Sequence, residues 1–190
     1  MTEAFRCRWT GQKSTESAVL RFLLVLPALL LLISCASLSE EECRAGTWED
    51  IGFVDGTEGR TPDHLSRHDK ACADYGITPD AVRWEDGRQQ GLHTYCRPAR
   101  AWSEGADGRK LRPVCTGPDV ERLYAVNSDG LTYHRIGQDI SEAQRRISGI
   151  NQTLAGGHLA PEDRSTLFSE RAYLQLEIVT LRAQRTHYRY

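Results

Sequence analysis

The sequence predicts a mainly α protein: a small, disulfide-stapled helical domain with an irregular N-terminal segment, followed by a C-terminal antiparallel helical hairpin. Three observations point there. Apolar residues recur at helical spacing through residues 62–134, with proline and capping residues at the starts. Two seams with mostly 3- and 4-residue spacing fill the last third and are separated by Ala155-Gly156-Gly157. Four cysteines, Cys43, Cys72, Cys96 and Cys115, follow a segment of export type.

Residues 1–34 read as an export signal. Arg21 precedes an uninterrupted apolar run over residues 22–33. A helix of that length covers about 18 Å, against about 30 Å for a bilayer core, so the run reads as a signal core and not a span. Leu32, Ile33 and Ser34 resemble the positions before a lipoprotein signal peptidase cut, which would fall between Ser34 and Cys35. Cys35 would then carry the acyl chains, and two or more chains hold a protein stably on a membrane. Ala36 resembles the following residue of Gram-negative lipoproteins sorted to the outer membrane. Residues 1–20 are a long polar preamble, and Val19 or Leu20 is a plausible alternative start.

Residues 35–42 form the lipidated cysteine and a short polar tether. Residues 43–136 are expected to form one Cys- and Gly-rich helical domain, and residues 137–190 the hairpin. Within the first, residues 43–60 carry turn signals around Trp48, Ile51 and Phe53 and predict irregular structure with buried aromatics. Thr61-Pro62 starts a helix that Gly76 closes, with Leu65, His68, Cys72 and Tyr75 on one face. Thr78-Pro79-Asp80 starts a second helix over residues 79–95. Gly87 and Gly91 each cost it about 1 kcal/mol relative to alanine, unless they admit another backbone; a strand hairpin is the rival. Residues 97–117 read as loop. Pro118 opens a third pattern through Val120, Leu123 and Asn127, with a possible break at Asp129-Gly130. The hairpin seams are Ile140, Ala143, Ile147, Ile150, Leu154 and Leu167, Leu174, Ile178, Leu181.

The chain has 24 basic and 26 acidic residues and a formal net charge of −2. With no basic stripe, nucleic acid is excluded as a partner class. Cys7 lies in the preamble and Cys35 takes lipid. The remaining four cysteines predict two disulfides in an oxidising compartment. Three pairings are open, and Cys43–Cys72 with Cys96–Cys115 is the working guess.

No sequence motif announces a reaction: G-x-S-x-G, S-x-x-K and H-E-x-x-H are absent. His64 and His68, at i and i+4, are the candidate metal pair. His68 also lies on the inward stripe and no third histidine matches, so the reading is a structural role, with no metal and no cofactor. Asp55-Gly56-Thr57-Glu58-Gly59 reads as a tight turn, lacking the alternating oxygens of a calcium loop. Trp48, Trp84, Tyr95 and Trp102 are core by default; two or more exposed in one groove would indicate a glycan or peptide ligand.

Cys43, Trp48, Ile51-Gly52-Phe53, Asp55-Gly56, Gly59, Ala71-Cys72, Tyr75-Gly76, Gly87-Arg88, Gly91-Leu92, Tyr95-Cys96, Gly105, Gly108 and Val114-Cys115 together resemble a family of small proteobacterial lipoproteins, domain of unknown function 2799. The likeness runs from about Cys43 to about Tyr133; Trp84 and Arg112-Pro113 depart from the pattern. The resemblance implies an envelope lipoprotein and carries no catalytic residue. The expectation is a non-enzymatic adaptor or structural component of the cell envelope, facing the periplasm from the outer membrane. It would be held by its lipid and contact an envelope protein through the hairpin. A peptidoglycan- or glycan-binding module is the alternative, and a periplasmic hydrolase a more distant one.

Overall fold

The structure is a computed structural model and describes residues 37–190. Cys7, Val19, Leu20 and the lipobox residues through Ser34 and Cys35 lie outside the described residues. Residues 38–190 form one compact unit. Its elements are seven α-helices and one 3-10 turn, with no strand among the described residues.

The expected tether is shorter than its sequence suggests. Leu38 is buried, and Ser39 caps helix α1 (Glu40–Ala45). The Glu42 carboxylate accepts from the Ser39 backbone N–H at 2.7 Å, and the Glu42 N–H donates back to the Ser39 hydroxyl, a reciprocal capping box. Residues 43–60, expected to be irregular, continue as helix α2 (Trp48–Thr57). Gly56 reads locally as a turn signal, but a turn after Gly52 on a helix the two make a flat strip. Gly59, at φ 69°, is the glycine that turns the chain, closing α2 over the Tyr95 ring.

A 3-10 turn at Pro62–His64 leads into α3 (Leu65–Ala73), close to the expected helix, and Gly76 follows at φ 68°. Helix α4 (Ala81–Tyr95) starts as expected, although its cap is Asp80 and not Thr78: the Asp80 carboxylate accepts from the Val82 and Arg83 N–H groups. The strand alternative is ruled out. Residues 97–117, expected as loop, contain α5 (Pro98–Ala106). Pro98 occupies the first turn, where its missing N–H costs nothing.

Helix α6 (Val120–Ala155) runs 36 residues straight through Asp129-Gly130, where the sequence left room for a break. The expected division between residues 43–136 and 137–190 therefore falls inside a helix, and no linker separates the two. Ala155-Gly156-Gly157 ends it as read. Pro161 opens α7 (Pro161–His187), with Glu162 and Asp163 in its first turn.

Close backbone contact organises the first part. Gly52 and Gly56 of α2 face Gly87 and Gly91 of α4, and the two helices run parallel. A methyl group placed on Gly52 would lie 1.9 Å from the Trp84 carbonyl oxygen, and one on Gly87 1.9 Å from that of Glu49. Gly105 of α5 and Gly130 of α6 repeat the device. Asn127 joins the same interface: its side chain donates to the carbonyls of Ala101 and Arg109 and accepts from the Leu111 N–H.

The buried apolar residues form three clusters. Leu38, Cys43, Trp48, Cys72 and Trp84 make the first. Leu92, Tyr95, Ala101, Leu111, Cys115 and Leu123 make the second. The predicted hairpin seam makes the third, with Ile140, Ala143 and Ile150 of α6 against Leu174 and Ile178 of α7, joined by Ile136. Disulfides Cys43–Cys72 and Cys96–Cys115 staple the first two, with Cα–Cα separations of 5.6 Å and 5.5 Å. The pairing agrees with the working guess.

Candidate functional site

Residues from three elements meet at a polar cluster beside the first core. Asp55 sits in the last turn of α2, three residues after Gly52, so the glycine contact with α4 draws its side chain inward. His64 ends the 3-10 turn and His68 lies one turn later on α3, which the Cys43–Cys72 bond ties to α1. The His68 Nε2 lies 2.7 Å from Asp55 Oδ2, and the His64 Nε2 3.5 Å from Asp55 Oδ1. The Trp84 indole N–H donates to Asp55 Oδ2 at 2.8 Å. His68 and Asp55 are buried, and His64 forms the partly open side at 12% side-chain exposure. The His64 and His68 rings meet edge to face at 5.0 Å.

Burial raises the Asp55 carboxyl, but hydrogen bonds from His68 and Trp84 and the positive character of the two imidazoles outweigh it, leaving Asp55 below the ordinary carboxylate value. Burial pushes the His64 imidazole below its usual value, against the pull of Asp55. Both groups bind protons more weakly folded than unfolded. Their contribution to stability is complete above about pH 6.5 and falls on acidification, first through His64 and then, below about pH 4, through Asp55. Melting temperatures measured between pH 7.5 and pH 5 are expected to fall, with a shallower slope in His64→Gln. Equal slopes in the two proteins would contradict this account.

The hairpin carries a second feature. Helix α7 buries Leu174 and Ile178 on its inner face, yet Phe168, Tyr173, Leu176 and Val179 stand exposed on the opposite one, Leu176 at 66%. Phe168, Ala172, Leu176, Val179 and Ala183 follow 4-4-3-4 spacing, an uninterrupted small-and-apolar stripe. By helical spacing, Arg164 and Arg182 flank one edge of it and Glu162 the other, while Glu170 pairs with Arg146 and Arg171 donates to Asn151, both on α6.

The residues singled out in the sequence divide as follows. His64 and His68 come together, and their third member is Asp55, which is part of a helix and not of the expected tight turn. The aromatic set does not form a groove: Trp48, Trp84 and Tyr95 are buried in the cores. The Tyr95 hydroxyl accepts from the Arg112 N–H. Trp102 is partly buried, donates from its indole N–H to the Tyr188 carbonyl at 2.8 Å and packs beside Tyr133 and Tyr190. Among the described residues, then, the glycan reading loses the surface it required. Sequence reasoning missed Asp55 because its partners lie beyond the reach of one helix. The α7 stripe was legible as a second period on the same helix, hidden behind the stronger inner seam.

No helix among the described residues is long and apolar enough to cross a membrane. No curated protein and no solved structure matches the chain. Residues 47–132 match the family model described as protein of unknown function (DUF2799), a stretch that includes Asp55, His64, His68, Trp84 and all six close-packing glycines. Over that stretch the chain is similar to the DUF2799 family.

Proposed function

We propose that the protein is a lipid-anchored, non-enzymatic component of the bacterial cell envelope, an adaptor that offers the outer face of α7 to a helical protein partner. The observation that carries this reading is the exposed stripe Phe168, Ala172, Leu176, Val179 and Ala183. A helix that satisfies one apolar face against its hairpin mate has no folding reason to maintain a second. An apolar helix face of this kind is a helix-docking surface. Its flanks define part of the partner's chemistry: an apolar seam bordered by acidic residues opposite Arg164 and Arg182 and a basic residue opposite Glu162.

The export signal and Cys35 supply the other half of the reading. Acylation of Cys35 would hold the folded unit beside the membrane, because the chain between Cys35 and Leu38 is only a few residues long. Labelled palmitate is expected to enter the wild-type protein and not Cys35→Ala; equal labelling of both would remove the anchor from the reading.

The contact surface is tested with a photo-crosslinking residue introduced in cells at Leu176, or at the exposed Gln152 on α6 as a control. A discrete adduct is expected from position 176 and not from 152. It should disappear, when probed from position 173, in a Leu176→Arg/Val179→Arg protein whose melting temperature is retained. No adduct above the control, or one indifferent to the two arginines, would refute the docking face.

A further inference from the structure

We propose that Asp55, His64 and His68 form a binding site for one divalent first-row transition-metal ion of the zinc type. Each of the three residues offers one donor atom, and these atoms all lie within 4.8 Å of one another. Tetrahedral zinc holds imidazole nitrogen and carboxylate oxygen at about 2.0–2.2 Å, so its ligand atoms stand about 3.3 Å apart. Reaching that spacing asks the most separated donor atoms to draw together by about 1.5 Å. Two imidazoles and one carboxylate form a donor set that suits zinc and neighbouring ions and disfavours calcium and magnesium, which prefer all-oxygen shells.

The surroundings resemble a built site more than a chance meeting of polar groups. His64 and His68 are four residues apart, so consecutive turns present both rings to one side. Asp55 comes from a helix whose position the Gly52–Gly56 and Gly87–Gly91 contact determines. The Trp84 indole N–H on Asp55 Oδ2 orients the carboxylate from behind, as outer-shell donors do for metal-bound carboxylates. It directs Asp55 Oδ1 toward His64. The ion would take the place of the proton shared between His68 Nε2 and Asp55 Oδ2, and that proton would pass to solvent. Three protein ligands leave a fourth tetrahedral position, on the side where His64 is partly exposed, for water or a donor from another molecule. The site is on the opposite half of the chain from the α7 stripe and stands or falls without it.

The test is titration of the full chain, purified in detergent with both disulfides intact and stripped with chelator, using Zn²⁺ followed by calorimetry and thermal melting. One ion per chain is expected, together with a rise in melting temperature. His64→Gln is the decisive variant: His64 is at the rim, so the protein should fold, and both the binding heat and the thermal shift should vanish. Trp84→Phe should bind about 10–100-fold more weakly. Absence of binding by the wild-type chain would overturn the proposal. So would unchanged stoichiometry and affinity in His64→Gln, because the ion would then sit elsewhere. Asp55→Asn provides a second arm: a folded Asp55→Asn protein that binds Zn²⁺ as the wild type does would also end it.

Discussion

Replacing Gly87 by alanine is expected to destabilise the protein by about 3 kcal/mol or more, the upper end for overpacking. The added methyl would stand 1.9 Å from the Glu49 carbonyl oxygen and 2.9 Å from the Phe53 backbone nitrogen. Both are backbone atoms of a helix, so no rotamer change relieves the clash and α2 must move off α4. That movement would also withdraw Trp84 from Asp55 and open the first core. For a chain of this size a melting temperature lower by about 6–12 °C follows, or failure to fold if the starting stability is small. Gly149→Ala is the control. It has the same substitution in a helix with nothing within 4 Å of the new methyl, and should stabilise by up to about 1 kcal/mol through helix propensity alone. Thermal melts of the two variants should move in opposite directions; a Gly87→Ala protein as stable as the wild type would disprove the close contact of α2 and α4.

Reducing the disulfides is expected to have the larger combined effect. The Cys43–Cys72 and Cys96–Cys115 bonds close segments with sequence separations of 29 and 19. Loop-closure entropy assigns each about 3–4 kcal/mol, and their sum is comparable with the whole stability of an ordinary domain. The cores they join are small, five and six buried side chains, and chains with little buried core depend on such staples. In reductant, the signal of the buried Trp84 should shift to that of exposed indole at a temperature where the oxidised protein is folded. The α6–α7 seam contains no cysteine and should retain more of its helix. An oxidised protein and its reduced form melting together would show that the staples contribute little. Non-reducing peptide mapping that paired Cys43 with Cys115 would contradict the fold itself.

These two results probe the places where local signals and the folded chain part company. At Gly52, Gly56, Gly105 and Gly130 the residue type argues for turns, and there the sequence reading placed irregular structure, loop and a possible break. Glycine lowers helix propensity by about 1 kcal/mol, but it also lets a second helix approach backbone to backbone. Which of these wins depends on whether a matching strip exists elsewhere, here Gly87–Gly91 for α2 and the Gly105–Gly130 pair for α5 and α6. Gly87 and Gly91 were read as a place where another backbone could come close, although not as the partner of Gly52 and Gly56. Elements whose signals are local and agree were legible: the Asp80 region as a helix start, Gly76 as a stop, the Gly156-Gly157 turn and both hairpin seams.

The candidate site divides in the same way. His64 and His68 were visible as a pair because one turn of helix brings them together. Asp55 and Trp84 were not, since neither shares an element with them.

The amino-acid sequence on its own determined the helical class, the hairpin with its seam and the four cysteines that bond. Each of these rests on spacing within one segment or on residue chemistry that needs no neighbour. Only the tertiary structure decided that α2 and α5 are helices, that α6 is continuous, and that Asp55 faces two histidines. Those outcomes depend on what lies across an interface, and a helix weakened by glycine forms when the backbone it meets more than offsets the lost propensity.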